Sequence, residues 1–156
     1  MKNLIPNAPL SYTIPLILSQ FPSVETTKLK VVVVDDVLMM REHVAELLAD
    51  TGMVGIIGFA ADVRSALETI QDSKPNLVIL DIGIPGTAEL RNGIDVLKWI
   101  KRTLPNVYVV MLTNLNDPLY RERCLRAGAY AFLDKSSEFE KLPEIMGRVL
   151  NLVSGA

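Results

Sequence analysis

Residues 31–36 read Val31-Val32-Val33-Val34-Asp35-Asp36. Four consecutive β-branched residues favour a strand, and the absence of any polar side chain among them argues against one wet face. Such a run suits the middle of a parallel sheet covered on both sides. It stops on two carboxylates. Two further runs repeat the pattern: Leu77 to Leu80 ends in Asp81, and Val107 to Leu112 ends at Thr113.

Between these runs the apolar period becomes that of a helix. Met40, Val44, Leu47 and Leu48 recur at helical spacing before Gly52, which stops the helix. A strand follows over 54–60, and Asp62 is placed to cap a helix that buries Val63, Ala66, Leu67 and Ile70. Ile94, Leu97 and Ile100 mark a third helix, and residues 118–127 a fourth, ended by Gly128. A fifth strand is expected over 130–133 and a last helix over 139–153, with Leu142, Ile145, Met146 and Val149 inward. Strands alternating with helices in this way predict an α/β fold of flavodoxin-like type. Its doubly wound, five-stranded parallel sheet has strand order 2-1-3-4-5 and helices on both faces.

Composition sets the outer limits. The chain has 156 residues, a one-domain length, and is 49% hydrophobic and 22% charged, as a globular protein is. A net charge of −2 supplies no basic face for direct nucleic-acid binding. No apolar run approaches the ~20 residues that span a bilayer. Ile14 to Phe21 is broken by Pro15 and followed by no small-residue cleavage site, so a cytoplasmic location is expected. The single cysteine, Cys124, excludes an internal disulfide and reads as a packed thiol. Residues 1–28, with Pro6, Pro9, Pro15 and Pro22, form an N-terminal extension outside the 29–153 domain. Two readings of this arm stand side by side: a loose tail, or a segment whose Leu16, Ile17, Leu18 and Phe21 pack on the domain or build a homodimer.

Ligands of such a sheet bind beyond the carboxyl ends of the strands, near the switch point between strands one and three. The residues there are Asp35-Asp36, Asp81, Thr113 and Asp134-Lys135. Three carboxylates brought together repel unless a cation lies among them, and their hard oxygens suit Mg²⁺. A divalent ion with a lysine makes a clamp for a phosphoryl group, and a carboxylate can accept that group as an acyl phosphate. Taken singly, each has an ordinary reading: Asp35-Asp36 as a helix cap, Thr113 as a strand end, Lys135 as a surface cation. Their conjunction on separate strand ends favours the chemistry.

The pieces "VVVVDD", "LVILDIGIPG", "VVMLTN" and "AYAFLDKSSEF", in that order, resemble the receiver domain of two-component response regulators over residues 29–153. The resemblance implies that Asp81 is the phosphoacceptor. It further implies that Asp36, Asp81 and the backbone carbonyl of Gly83 bind Mg²⁺ directly, with Asp35 acting through water or by holding the site's charge. Lys135 would contact the phosphoryl group, Thr113 would swing towards it, and Phe132 would be the coupled aromatic. Gly83 and Leu115 occupy the positions that tune phosphoryl lifetime. The implied partner is a sensor histidine kinase or histidine phosphotransfer protein, docking on the first helix near Met39, Met40 and His43. An unknown downstream protein would read the switch at the fourth helix, fifth strand and fifth helix. No effector domain follows the last helix before Ala156, so a stand-alone regulator is expected, with a fragment of a longer chain as the alternative. No catalysis beyond its own aspartyl phosphorylation and dephosphorylation is implied.

Three features depart from the family pattern. The segment "GTAELRNG" after Pro85 is roughly four residues longer than is usual, Asn114 replaces a small residue, and Ser136-Ser137 replaces a frequent proline, which leaves a cis peptide there open. Two other classes compete with the switch. An aspartyl phosphatase or phosphotransferase of haloacid-dehalogenase type needs two acids spaced by two on the first strand, whereas Asp35 and Asp36 are adjacent. A degenerate receiver acting only as an interaction module would not need the intact acids, Thr113 and Lys135.

Overall fold

The computed structural model describes residues 27–155. The N-terminal arm, but for Thr27 and Lys28, lies outside the described residues, as do both readings of it. The elements run β1 (Leu29–Val34), α1 (Leu38–Ala49), β2 (Val54–Ala60), α2 (Val63–Ser73), β3 (Leu77–Leu80), α3 (Gly93–Thr103), β4 (Tyr108–Thr113), α4 (Pro118–Arg126), β5 (Ala131–Asp134) and α5 (Leu142–Val153). The five strands are parallel in the order β2-β1-β3-β4-β5. The expected fold is the observed one.

Side chains alternate across a strand, and here both faces are covered. Val32, Val34, Val78, Leu80, Val109, Met111 and Phe132 pack against residues of α2, α3 and α4. Val31, Val33, Leu77, Ile79, Val110, Leu112 and Leu133 pack against α1 and α5. Val31 to Val34 are each no more than 1% exposed, which is why that run tolerates no polar residue. Burial of each such side chain contributes about 1.5–3 kcal/mol against the cost of ordering the chain.

Caps define where helices start. Asp62 accepts from Ser65 N, and the Ser65 hydroxyl accepts in return from Asp62 N, a reciprocal box that opens α2. Asn92 caps α3 and Asp117 caps α4, the latter ahead of Pro118 in the first turn. Several boundaries differ from the sequence expectation. β4 and β5 each begin and end one residue later, and their last residues, Thr113 and Asp134, are partners in the ladder. The last helix is divided: Phe139–Lys141 is a 3₁₀ turn and α5 begins at Leu142. Pro143 has no N–H to return to Phe139, so the α-helical ladder cannot start before it.

Candidate functional site

Backbone hydrogen bonds continue past the strand ends and fix the residues beyond them. Asp35 N donates to Ala60 O at 3.0 Å, Asp81 N to Val34 O at 3.0 Å, and Lys135 N to Thr113 O at 3.0 Å. The side chains therefore converge from three strands. Lys135 Nζ lies 2.5 Å from Asp35 Oδ2 and 2.9 Å from Asp81 Oδ2, and all three side chains are under 10% exposed. Burial presses the ammonium towards losing its proton, but hydrogen bonding to Asp35 and Asp81, with their charge, outweighs that. The Lys135 pKa is raised, and the group is a cation.

Asp36 is exposed at the rim, and carboxylate oxygens of Asp35, Asp36 and Asp81 lie within 4.8 Å of one another. Three hard oxygens on one open edge fit a divalent ion of the Mg²⁺ class. The cap reading of Asp35 is not realised: Val37 holds the N-cap position of α1 and no side chain caps the helix, while Asp35 Oδ1 accepts from Val37 N at 2.9 Å in the turn before it. Asp81 is built alike, with Oδ1 accepting from Gly83 N at 3.2 Å and Oδ2 facing Lys135. One oxygen of each carboxylate is held by backbone and the other is shared with the lysine.

Thr113 is fully buried, and its hydroxyl accepts from Leu115 N at 3.3 Å. It follows Met111 by two residues and so shares the sheet face of Phe132, whose ring is inward at 3% exposure. Leu115 itself is 40% exposed, and Asn114 is exposed beside it. A cleft of about 310 Å³ separates α1 from the segment after β5, lined by Met40, His43, Lys135, Ser136, Ser137, Phe139 and Glu140. A larger cavity of about 470 Å³, near Pro75, Lys101 and Tyr108, is lined by no carboxylate.

Several polar contacts around the site have no signal in residue spacing. Arg41 Nη1 donates to Asp35 O at 2.7 Å. Asn116 Nδ2 donates to Asp134 Oδ2 at 2.8 Å, and Ser136 donates to Asp134 Oδ1 through both N–H and hydroxyl. The Ser136 hydroxyl, then Asn116 and the Ser136 N–H, hold the Asp134 carboxyl down at about 2. Arg121 places its guanidinium 5.6 Å from the centroid of Phe132. Among the described residues no peptide bond is cis, the one after Lys135 included.

The long segment after Pro85 closes on itself. Thr87 N donates to Leu90 O at 2.7 Å and Leu90 N to the Thr87 hydroxyl at 3.1 Å, so the extra residues form a shut turn. Leu90 packs on the core below. Gly93 then brings α3 against the acceptor strand end: a Cβ there would lie 2.1 Å from the Asp81 carbonyl oxygen.

A family model described as the response regulator receiver domain matches residues 31–146. The chain belongs to that family. The receiver is 30% identical over 110 residues to a protein-glutamate methylesterase/protein-glutamine glutaminase of Clostridium acetobutylicum, covering 69% of this chain and 31% of that protein. It is 26% identical to the response regulator GacA of Pseudomonas aeruginosa, covering 78% and 55% respectively. The receiver thus spans from about a third to about half the length of these curated relatives. Among solved structures, the response regulator domain of Thermotoga maritima CheB superposes with a TM-score of 0.69 at 28% identity, covering 80% of this chain and 98% of that one. A LuxR-family DNA-binding response regulator from Staphylococcus aureus gives 0.71 at 28%, covering 79% and 99%. Receiver domains generally bind Mg²⁺ at an acidic pocket, and Asp35, Asp36 and Asp81 form a cluster that could hold such an ion. Among the described residues no helix is long and apolar enough to cross a membrane.

Proposed function

We propose that this receiver is a phosphorylation switch that takes a phosphoryl group on Asp81 from a histidine kinase or histidine phosphotransfer protein. The observation that carries the reading is the bridge of Lys135 between Asp35 and Asp81, which sets an ammonium where phosphoryl charge would arrive. A carboxylate oxygen of Asp81 attacks phosphorus; the new O–P bond forms as the P–N bond to the donor imidazole breaks. Lys135 turns from the Asp81 carboxylate to the phosphoryl oxygens, and the Thr113 hydroxyl leaves Leu115 N to donate to one of them. Asp36, Asp81 and the carbonyl of Gly83 would hold Mg²⁺ directly, with Asp35 through water. That ion, when bound, neutralises charge on the transferring group.

The cleft beside Met40 and His43 is the approach we assign to the donor, since Lys135 lies on its wall. Output then runs through a partner protein, in the cytoplasm, and the chain has no catalysis beyond its own aspartyl chemistry. Acetyl phosphate with Mg²⁺, read by intact mass, tests the assignment. One phosphoryl adduct on the wild type, lost in Asp81→Asn, is expected. Turnover of acetyl phosphate without an adduct would favour the aspartyl phosphatase reading instead.

A further inference from the structure

Strand β2 forms one edge of the sheet, and its sequence leaves that edge poorly guarded. Val54–Ala60 reads VGIIGFA, with no charge and no proline. Of the devices that blunt an exposed edge it carries only a bulge, at Ile57, which the register with β1 skips. Ile57 and Phe59 are 40% and 47% exposed, and Leu38 in the first turn of α1 is 59% exposed. Phe59 and Leu38, with Arg41 and Glu42, line a groove of about 250 Å³ between β2 and α1. Met40 and His43, which line the cleft beside Lys135, lie on the other side of that helix.

We propose that residues 16–21 of this chain's own N-terminal arm dock in that groove, over Phe59 and Leu38. The chain enters the sheet at the foot of β2: Leu29 pairs with Val54, and its N–H donates to Met53 O at 2.8 Å. Lys28 lies beside Gly55, where an added Cβ would meet Lys28 Cβ at 4.0 Å. From Gly55 to Phe59 the strand rises about 13 Å. Residues 22–28 reach about 23 Å when extended, so they carry Phe21 to the groove with slack. The arm also has the matching chemistry. Leu16-Ile17-Leu18-Ser19-Gln20-Phe21 carries no charge, lies between Pro15 and Pro22, and holds four large apolar side chains that gain by leaving water. A segment tethered this closely has an effective concentration on the order of millimolar, so it outcompetes a second copy of the domain in dilute solution. This docking is independent of the phosphorylation reading.

Hydrogen exchange of the full chain, read by mass on the peptide that covers 16–21, tests the docking. Those amides are expected to exchange about ten-fold slower than the unstructured rate, a protection that burial of one large apolar side chain sustains. Phe59→Ser and Leu18→Asp should each abolish it. Phe59 is half exposed and Leu18 lies outside the 29–153 domain, so neither change removes core packing. Val153→Ser, at the separate cavity beside Tyr108, should leave the protection unchanged. Sedimentation should show a monomer whose protection does not vary on dilution. Unstructured exchange over 16–21 in the wild type overturns the docking, as does protection that survives Phe59→Ser or Leu18→Asp. Protection lost in Val153→Ser rather than Phe59→Ser overturns it by placing the arm elsewhere. A dimer whose protection falls on dilution overturns it too, because the groove then belongs to a second copy.

Discussion

Lys135 Nζ sits 2.9 Å from Oδ2 of Asp81 across a sequence separation of 54 residues, and the same ammonium reaches Asp35. One of the two negative charges of the converging carboxylates is thereby offset by a cation just past the end of β5. Replacing Lys135 by Met leaves both acids without their opposite charge, each holding only its backbone hydrogen bond. We expect a loss of about 3–5 kcal/mol in urea unfolding with chelator present, the cost of breaking a buried ion pair from one side. Millimolar Mg²⁺ should recover more stability in Lys135→Met than in wild type, because the vacated oxygens attract the ion more strongly. Equal recovery in both proteins would show that Lys135 and the metal do not compete.

Gly93 admits no side chain. A Cβ would fall 2.1 Å from Asp81 O and 2.8 Å from Ile82 Cα, both backbone atoms unable to give way. Gly93→Ala is expected to cost about 1–3 kcal/mol or more and to disturb the acceptor segment. At Gly83 the nearest atom to an added Cβ is Asp81 Oδ1 at 4.0 Å, an ordinary contact. Gly83→Ala should stay within about 0.5 kcal/mol of wild type by the same unfolding assay.

Asp62 opens α2 through its hydrogen bond from Ser65 N, which lowers its pKa together with the Ser65 hydroxyl. Asp62→Ala should cost about 1 kcal/mol near neutral pH. A depressed carboxyl contributes stability that is present above its unfolded value, 3.8, and lost as pH falls through the lower folded one. The gap between wild type and Asp62→Ala must therefore narrow below pH 3.8. Urea midpoints at pH 7, 4 and 3 measure it; a constant gap would show that the ionised form is not what caps.

Cys124 is fully buried against the sheet, and burial pushes its thiol up to about 11, with nearby Arg123 a smaller opposing influence. Since the thiolate is the reactive form, the native protein should resist a thiol reagent at pH 8 and react only at its rate of opening. Adding urea to the transition midpoint should bring full labelling. Rapid labelling of the native protein would contradict the burial.

Leu115 projects 40% into solvent near Thr113 and carries neither an amide nor a carboxylate to orient water. Gly83, on the other side, has no side chain at all. The acyl phosphate is therefore expected to decay slowly, and Leu115→Glu to hasten decay several-fold. Following the adduct by mass after removing acetyl phosphate checks this. A fast wild-type decay that the substitution leaves unchanged would remove Leu115 from the account.

Most of the fold was legible because its signals are local. A β-branched run with no polar member suits a central strand, and residues three and four apart suit a helix face. Asp35, Asp36, Asp81, Thr113 and Lys135 were legible for a related reason: in a doubly wound sheet every parallel strand delivers its carboxyl end to one edge. Boundaries were less so. Thr113 and Asp134 pair in the β4–β5 ladder, a partnership set by strand register, which the apolar runs ending at Leu112 and Leu133 do not encode.

What lay beyond the sequence was the choice among partners. Asp35 taken alone reads first as a cap and only with its neighbours as a site acid; the folded chain leaves α1 without a side-chain cap and sets one Asp35 oxygen on Val37 N and the other on Lys135. "GTAELRNG" reads as an added loop, but its closure by Thr87 and Leu90, and the approach of Gly93 to Asp81, require the backbone path. Arg121 reads as one more solvated charge on α4, and nothing in its spacing sets it over Phe132. Periodicity determines which residues turn inward, because it is a property of the local chain. Which inward or rim groups meet depends on register, loop path and rotamer, and these are settled when distant segments pack together.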